Sequence, residues 1–141
     1  HATVCALDAS QAALAMAQSN AAQLQLAVTW LHSHWWAGVA GQRFHLALSN
    51  PPYIAGDDAH LAALHHEPRA ALTPEGDGLS ALRDIIALAP AHLAPGAWLL
   101  LENGYDQAQA VQNLLRQSGF QQVQTRIDLA GIDRCTGGHW P

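Results

Sequence analysis

Asn50-Pro51-Pro52-Tyr53 closes a short apolar run, Phe44-His45-Leu46-Ala47-Leu48-Ser49, and this junction decides how the chain is read. The run has the length and apolar content of a buried strand. Pro51 and Pro52 carry no backbone N–H, so a central strand ends there, and Pro51 holds Asn50 extended at the strand's end. The turn then offers two acceptors, the Asn50 side-chain oxygen and the Pro51 carbonyl, with the local donors removed. A planar –NH₂ group, on an amide or a nucleobase, has two donors to match them. Tyr53 adds an aromatic face on which a flat group can lie. The tetrapeptide reads as a clamp for a planar amine. By local chemistry alone it reads equally as a proline-rich turn that closes a strand.

Outward from this junction, strands alternate with helices. Ala2–Leu7 reads as a strand with Asp8 at its end, and Ser10 as the N-cap of a helix carrying Leu14, Ala17, Ala21 and Leu24 on one face. Leu26–Trp30 is the next expected strand, followed by a His32–Gly41 loop and the Phe44–Ser49 strand. Ile54–Gly78 is loop-rich, with a short helix near His60–His65. Leu79–Leu93 has helical periodicity, kinked at Pro90, and Pro95-Gly96 marks a stop. Ala97–Glu102 is a strand, Gln107–Ser118 a helix, Gln122–Ile127 a strand and Arg134–Trp140 the last. This order predicts βαβ units and a mostly parallel α/β sheet with right-handed crossovers. The final two strands have no helix between them and are expected to pair antiparallel.

Composition narrows the class. The 141 residues are 50% hydrophobic and 12% charged, which suits one folded domain and not a disordered chain. The formal charge is −5, and the six basic residues are all arginines, scattered singly, so no basic stripe marks a nucleic-acid surface. No apolar run has the length of a membrane span, and the N-terminus lacks the layout of a signal peptide. Two cysteines, Cys5 and Cys135, lie far apart without metal or redox spacing, which suggests a reducing, cytoplasmic setting. The chain begins at His1 and enters a strand at once, so its start reads as a cut through a larger protein.

In open α/β sheets ligands gather at the carboxyl ends of the strands, where Asp8, Ser33-His34, Asn50 and Glu102-Asn103 all fall. A carboxylate in the position of Asp8 commonly accepts from ribose hydroxyls, and it serves as well as an acid leading a helix. The nine histidines include His32-x-His34 and His65-His66 but lack Cys, Asp or Glu partners at ligand spacing, so no metal site is expected. Trp35-Trp36 reads first as packing under a loop. No P-loop, Gly-x-Gly-x-x-Gly or nucleophile elbow occurs.

Taken together, Asp8, Asn50-Pro51-Pro52-Tyr53-Ile54, Glu67-Pro68, Ala71-Leu72, Gly76-Asp77-Gly78-Leu79, Leu100-Leu101-Glu102 and Gly104-Tyr105-Asp106-Gln107 resemble the release-factor glutamine methyltransferases over essentially the whole chain. Asn-Pro-Pro-Tyr alone is shared with adenine and cytosine amino-methyltransferases; the other elements favour the glutamine branch. The resemblance implies a Rossmann-like class I methyltransferase sheet lacking its first strand, with residues 1–141 forming part of an S-adenosylmethionine-dependent catalytic domain. It implies methyl transfer to the glutamine amide of the Gly-Gly-Gln motif in peptide chain release factors. It also implies roles for residues: Asp8 with Ala9 at the cofactor ribose, His34 and Trp35 near the adenine, and Asn50 touching both cofactor and substrate. Asn50, Pro51, Pro52 and Tyr53 would hold the glutamine amide, and Glu67 would shape the substrate channel. His34 stands where the family usually has an aspartate. The family's glycine-rich cofactor loop and helical N-terminal region are expected upstream of residue 1, so these residues alone should bind the cofactor weakly and be inactive. Two other readings stand beside this one: a nucleic-acid amino-methyltransferase with the same clamp, and a non-catalytic Rossmann-like remnant.

Overall fold

The structure, a computed structural model, describes residues 2–141. Its backbone forms two compact units, one running to Gln42 and the other spanning Arg43–Pro141.

In the first unit, β1 (Val4–Asp8) lies parallel to β2 (Val28–His32), with α1 (Gln11–Gln23) between them in sequence. Ser10 caps α1 as expected, its Oγ accepting from Ala13 N–H at 3.2 Å. Leu14 and Ala21 are buried, but Leu24 is 69% exposed, not on the packed face the sequence predicted. The helix ends at Gln23, and Leu24 is its C-cap. Leu26 N–H returns to the Ala21 carbonyl and Gln25 N–H to the Ala22 carbonyl, with Gln25 at φ 54°. This is a Schellman closure with glutamine in the left-handed position usually given to glycine. Leu26 is consumed in that closure, which is why β2 starts two residues later than expected. The expected His32–Gly41 loop holds a 3₁₀ turn, Trp35–Val39, which buries Trp36 and Val39.

In the second unit, four strands run in the order β3-β4-β6-β5. Here β3 is Phe44–Ser49, as expected, β4 is Leu93–Glu102, β5 is Gln121–Ile127 and β6 is Asp133–His139. β3 and β4 are parallel, while β6 pairs antiparallel with both β4 and β5. Between β3 and β4 come a 3₁₀ turn (Ala59–Leu64), the short α2 (Arg69–Leu72), α3 (Ser80–Leu88) and a 3₁₀ turn at Ala89–Ala91. α4 (Ala108–Gln117) joins β4 to β5 and packs on β5 and β6.

The helix expected over Leu79–Leu93 is therefore shorter, and Leu93 already belongs to a strand. Pro95-Gly96, expected as a stop, lies inside β4. The register there jumps from Phe44↔Leu93 to Leu46↔Trp98, so the proline sits in a bulge where its missing N–H breaks no ladder bond. Gly96 takes φ 83° and donates its N–H to the Trp140 carbonyl at 2.9 Å. Beyond the bulge, β4 alternates with period two. Ala97, Leu99 and Leu101 are buried, and Trp98, Leu100 and Glu102 only half so. Leu82, Ile85 and Ile86 of α3, with Val111 and Leu115 of α4, complete this unit's core. No helix among the described residues is long and apolar enough to cross a membrane.

Candidate active site

Asn50 follows the last residue of β3 directly, exposed, and its side chain makes no hydrogen bond among the described residues. It lines a pocket of about 320 Å³ with Leu48, Ser49, Leu100, Glu102, Arg134 and Cys135. Pro51 is buried and Pro52 half-buried. After the two prolines the chain is tied again at Ile54, whose N–H donates to the Leu72 carbonyl at 3.0 Å. The Tyr53 hydroxyl donates to Glu102 Oε1 at 2.8 Å, across 49 residues of sequence. Burial raises the Tyr53 phenol above its ordinary pKa, and the Glu102 hydrogen bond and charge add to this against the opposing pull of Arg134. Tyr53 thus keeps its proton and donates a hydrogen bond to the carboxylate.

Arg134 and Cys135 reach the pocket because β6 runs antiparallel beside β4, with Glu102 opposite Cys135. Arg134 Nη1 donates to the Asn103 carbonyl at 3.3 Å, and its Nε lies 3.6 Å from Asp128 Oδ2. Burial, then the Glu102 charge, pushes the Cys135 thiol up, away from the thiolate a nucleophile needs. Sequence reasoning missed both residues. They lie some thirty residues beyond β4, in no motif, and only the strand pairing brings them to the pocket.

In the first unit, Asp8 ends β1 opposite His32 at the end of β2. Asp8 Oδ1 accepts from Ser10 N–H at 2.7 Å, and the Asp8 carbonyl accepts from Ser33 N–H at 3.0 Å. His32 Nε2 donates to the Ala9 carbonyl at 2.9 Å, which assigns the ring proton to that nitrogen. Buried Ser33 fastens the next turn, its hydroxyl donating to the Trp35 carbonyl and accepting from Gly38 N–H. Beyond it, exposed His34 and half-buried Trp35 set their rings 5.0 Å apart, with Trp35 held at φ 46°. The His32 and Ser33 ties were not foreseen either, since nothing in their spacing marks them.

Glu67 is exposed, its N–H bonded to the Leu64 carbonyl, and it is not among the residues lining the pocket. The His65 and His66 rings lie with centroids 3.7 Å apart, tilted 46° to each other. Among the described residues no group of three or more His, Cys, Asp or Glu side chains could hold a metal ion.

Asn50 and Glu102 thus line one pocket at the carboxyl ends of the parallel strands β3 and β4, on an α/β methyltransferase fold, and residues 1–80 match the model of the methyltransferase small domain family, to which this chain belongs. It is 50% identical over 141 residues to the release factor glutamine methyltransferase of Bordetella pertussis, an alignment covering 98% of this chain and 52% of that protein. The solved structure of a release factor-specific protein-(glutamine-N5) methyltransferase from Alicyclobacillus acidocaldarius is 29% identical. It superposes with a TM-score of 0.54 over 98% of this chain and 78% of its own. A ribosomal protein L11 methylase from Lactobacillus delbrueckii shares the fold, with a TM-score of 0.69 at 17% identity over 99% of this chain and 59% of its own. The chain spans about half the length of the curated relatives it matches.

Proposed function

We propose that this chain is part of an enzyme that methylates the side-chain amide nitrogen of the glutamine in the Gly-Gly-Gln motif of peptide chain release factors, with S-adenosylmethionine as donor. The observation that carries it is the Asn50 carboxamide, without a hydrogen-bond partner among the described residues, at the lip of a pocket walled by Leu48, Leu100 and Glu102. The names of the curated relatives and of the glutamine-specific solved structure support the choice of substrate. On this reading the enzyme works in the cytoplasm, with release factors as its partners.

The first unit has groups that suit a nucleoside. Asp8 commits one carboxylate oxygen to Ser10 and leaves the other for a ribose hydroxyl, with Ala9 beside it, and the exposed His34 and half-buried Trp35 offer ring faces to a purine. When bound, the cofactor supplies an electrophilic sulfonium methyl. The protein's own task lies with the amide, a poor nucleophile because its lone pair is delocalised into the carbonyl. The Asn50 oxygen and the Pro51 carbonyl accept its two N–H groups, which fixes the nitrogen's direction of attack. Such orientation is worth up to roughly 7–11 kcal/mol. Positive charge grows on nitrogen as it attacks, and the two carbonyl dipoles and the Glu102 carboxylate stabilise it. The attacking nitrogen becomes acidic in the process and releases its proton to water, so no dedicated base is needed. Tyr53, held through Glu102, packs on the amide plane, while Glu67 shapes the loop entering α2.

Asn50→Ala tests this in the natural gene product carrying this chain. Intact-mass analysis of a release factor incubated with S-adenosylmethionine should show one methyl on the Gly-Gly-Gln glutamine. The variant's kcat should fall by ~10²–10³-fold with the fold preserved, the scale of a lost transition-state hydrogen bond. Near-native methylation by the variant would sink the clamp. Methylated bases in a parallel DNA duplex, with the release factor unchanged, would transfer the clamp to nucleic acid.

A further inference from the structure

Gln107 is 9% exposed at the N-cap of α4, yet its side chain does not cap its own helix. Its carboxamide is used at both ends. Oε1 accepts from Gly104 N–H at 2.8 Å, and Nε2 donates to the Tyr53 carbonyl at 2.8 Å. Gly78 presses against this tie. A Cβ there would overlap the Tyr53 carbonyl oxygen and lie 2.8 Å from Gln107 Nε2, so no side chain can enter.

The other end of the tie is anchored in the core. The Gly104 carbonyl accepts from Asn103 Nδ2 at 2.9 Å, and Asn103 is fully buried. Thr136 Oγ1 donates to Asn103 Oδ1 at 2.8 Å. A hydroxyl has one proton, so Thr136 must accept from Thr125, 2.9 Å away, and Thr125 in turn accepts from Gln112 Nε2 at 2.8 Å. Every donor in this chain points from α4 towards Gly104. Networks of this kind hold one arrangement because reversing any link orphans a buried group.

The Asn50–Tyr53 turn needs such an outside anchor. Pro51 and Pro52 have no N–H with which to fasten it, and the direction of its acceptors depends on the planes of its peptides. We propose that Gln107 is a positioning residue for the amide substrate: through the Tyr53 carbonyl it fixes the turn that presents the Asn50 oxygen and the Pro51 carbonyl. This rests on the function proposed above.

Gln107→Glu gives the test, because a neutral carboxylic acid can both accept from Gly104 and donate to Tyr53, whereas a carboxylate facing a carbonyl cannot donate. In the natural gene product, with release-factor methylation followed by mass, kcat at pH 8.5 should fall ~10²-fold, the cost of a misplaced reacting group. KM for the release factor should stay near native. Relative to native, kcat should climb by at least ~10-fold as pH is lowered to 6, since burial against a carbonyl raises a carboxyl's pKa. Gln107→Met, which keeps the bulk, should show the same fall in kcat with no pH recovery. The positioning role is overturned by a flat ratio for the Glu variant, by a loss confined to KM, or by native kcat in the Met variant. An inactive native protein instead overturns the methylation function, and the positioning role with it.

Discussion

Tyr53 and Glu102 form the most informative pair at the scale of single residues. The phenol donates to a carboxylate 2.8 Å away, and its pKa lies above the ordinary value because of burial first and the Glu102 bond and charge second. The folded state therefore holds that proton more tightly than the unfolded chain does. The bond's contribution to stability is whole below the unfolded tyrosine value of about 10 and is lost as pH climbs through the raised folded value. Tyr53→Phe should cost ~1 kcal/mol near neutral pH. The difference between native and variant in urea unfolding should shrink above pH 10, and a difference that persists unchanged at high pH would remove the bond from the account. Both residues could be singled out in the sequence, Tyr53 in its motif and Glu102 at a strand end. Their pairing could not, because nothing local links positions 49 residues apart.

At the scale of elements, the turn between β5 and β6 joins two backbone bonds, Asp128 N–H to the Ile132 carbonyl and Gly131 N–H to the Asp128 carbonyl, to one carboxylate. Asp128 Oδ1 accepts from Ala130 N–H at 2.8 Å and Ile132 N–H at 3.0 Å, with Arg134 close by. The Ile132 bond leads the causes that hold its carboxyl below the usual range. A depressed pKa means the contribution is present above the ordinary carboxylate value of about 4 and is lost as pH falls through the lowered one. Asp128→Ala should speed amide exchange at Ala130 and Ile132 near neutral pH and abolish their acid-induced loosening; unchanged exchange would show that the turn holds without it. Element boundaries were legible where local chemistry sets them, as at the Ser10 cap and the strand that the two prolines end. They were misread where tertiary contacts override local signals. Pro95-Gly96 looks like a stop but lies in a bulge between β3 and β4, and Leu24 has helical spacing but falls just past a helix closed by Gln25.

At the scale of the molecule, Leu99 is fully buried in β4, the strand flanked by both β3 and β6. Leu99→Ala should destabilise the chain by ~2–5 kcal/mol through the lost apolar contact and the cavity left behind. A lower urea midpoint at unchanged slope would report this, and an unaltered midpoint would deny Leu99 its place in the core. The sequence by itself determined the α/β alternation, the antiparallel end, the strand termini that carry Asp8 and Asn50, and the acceptor turn, because each follows from periodicity, proline chemistry or capping acting over a few residues. Only the tertiary structure decided that Arg134 and Cys135 line the pocket, that Glu102 accepts the Tyr53 hydrogen bond, and that Gln107 ties the turn to a buried network. Those relations come from strand register and from buried polar groups finding partners across the sheet, and neither is encoded in the spacing of neighbours along the chain.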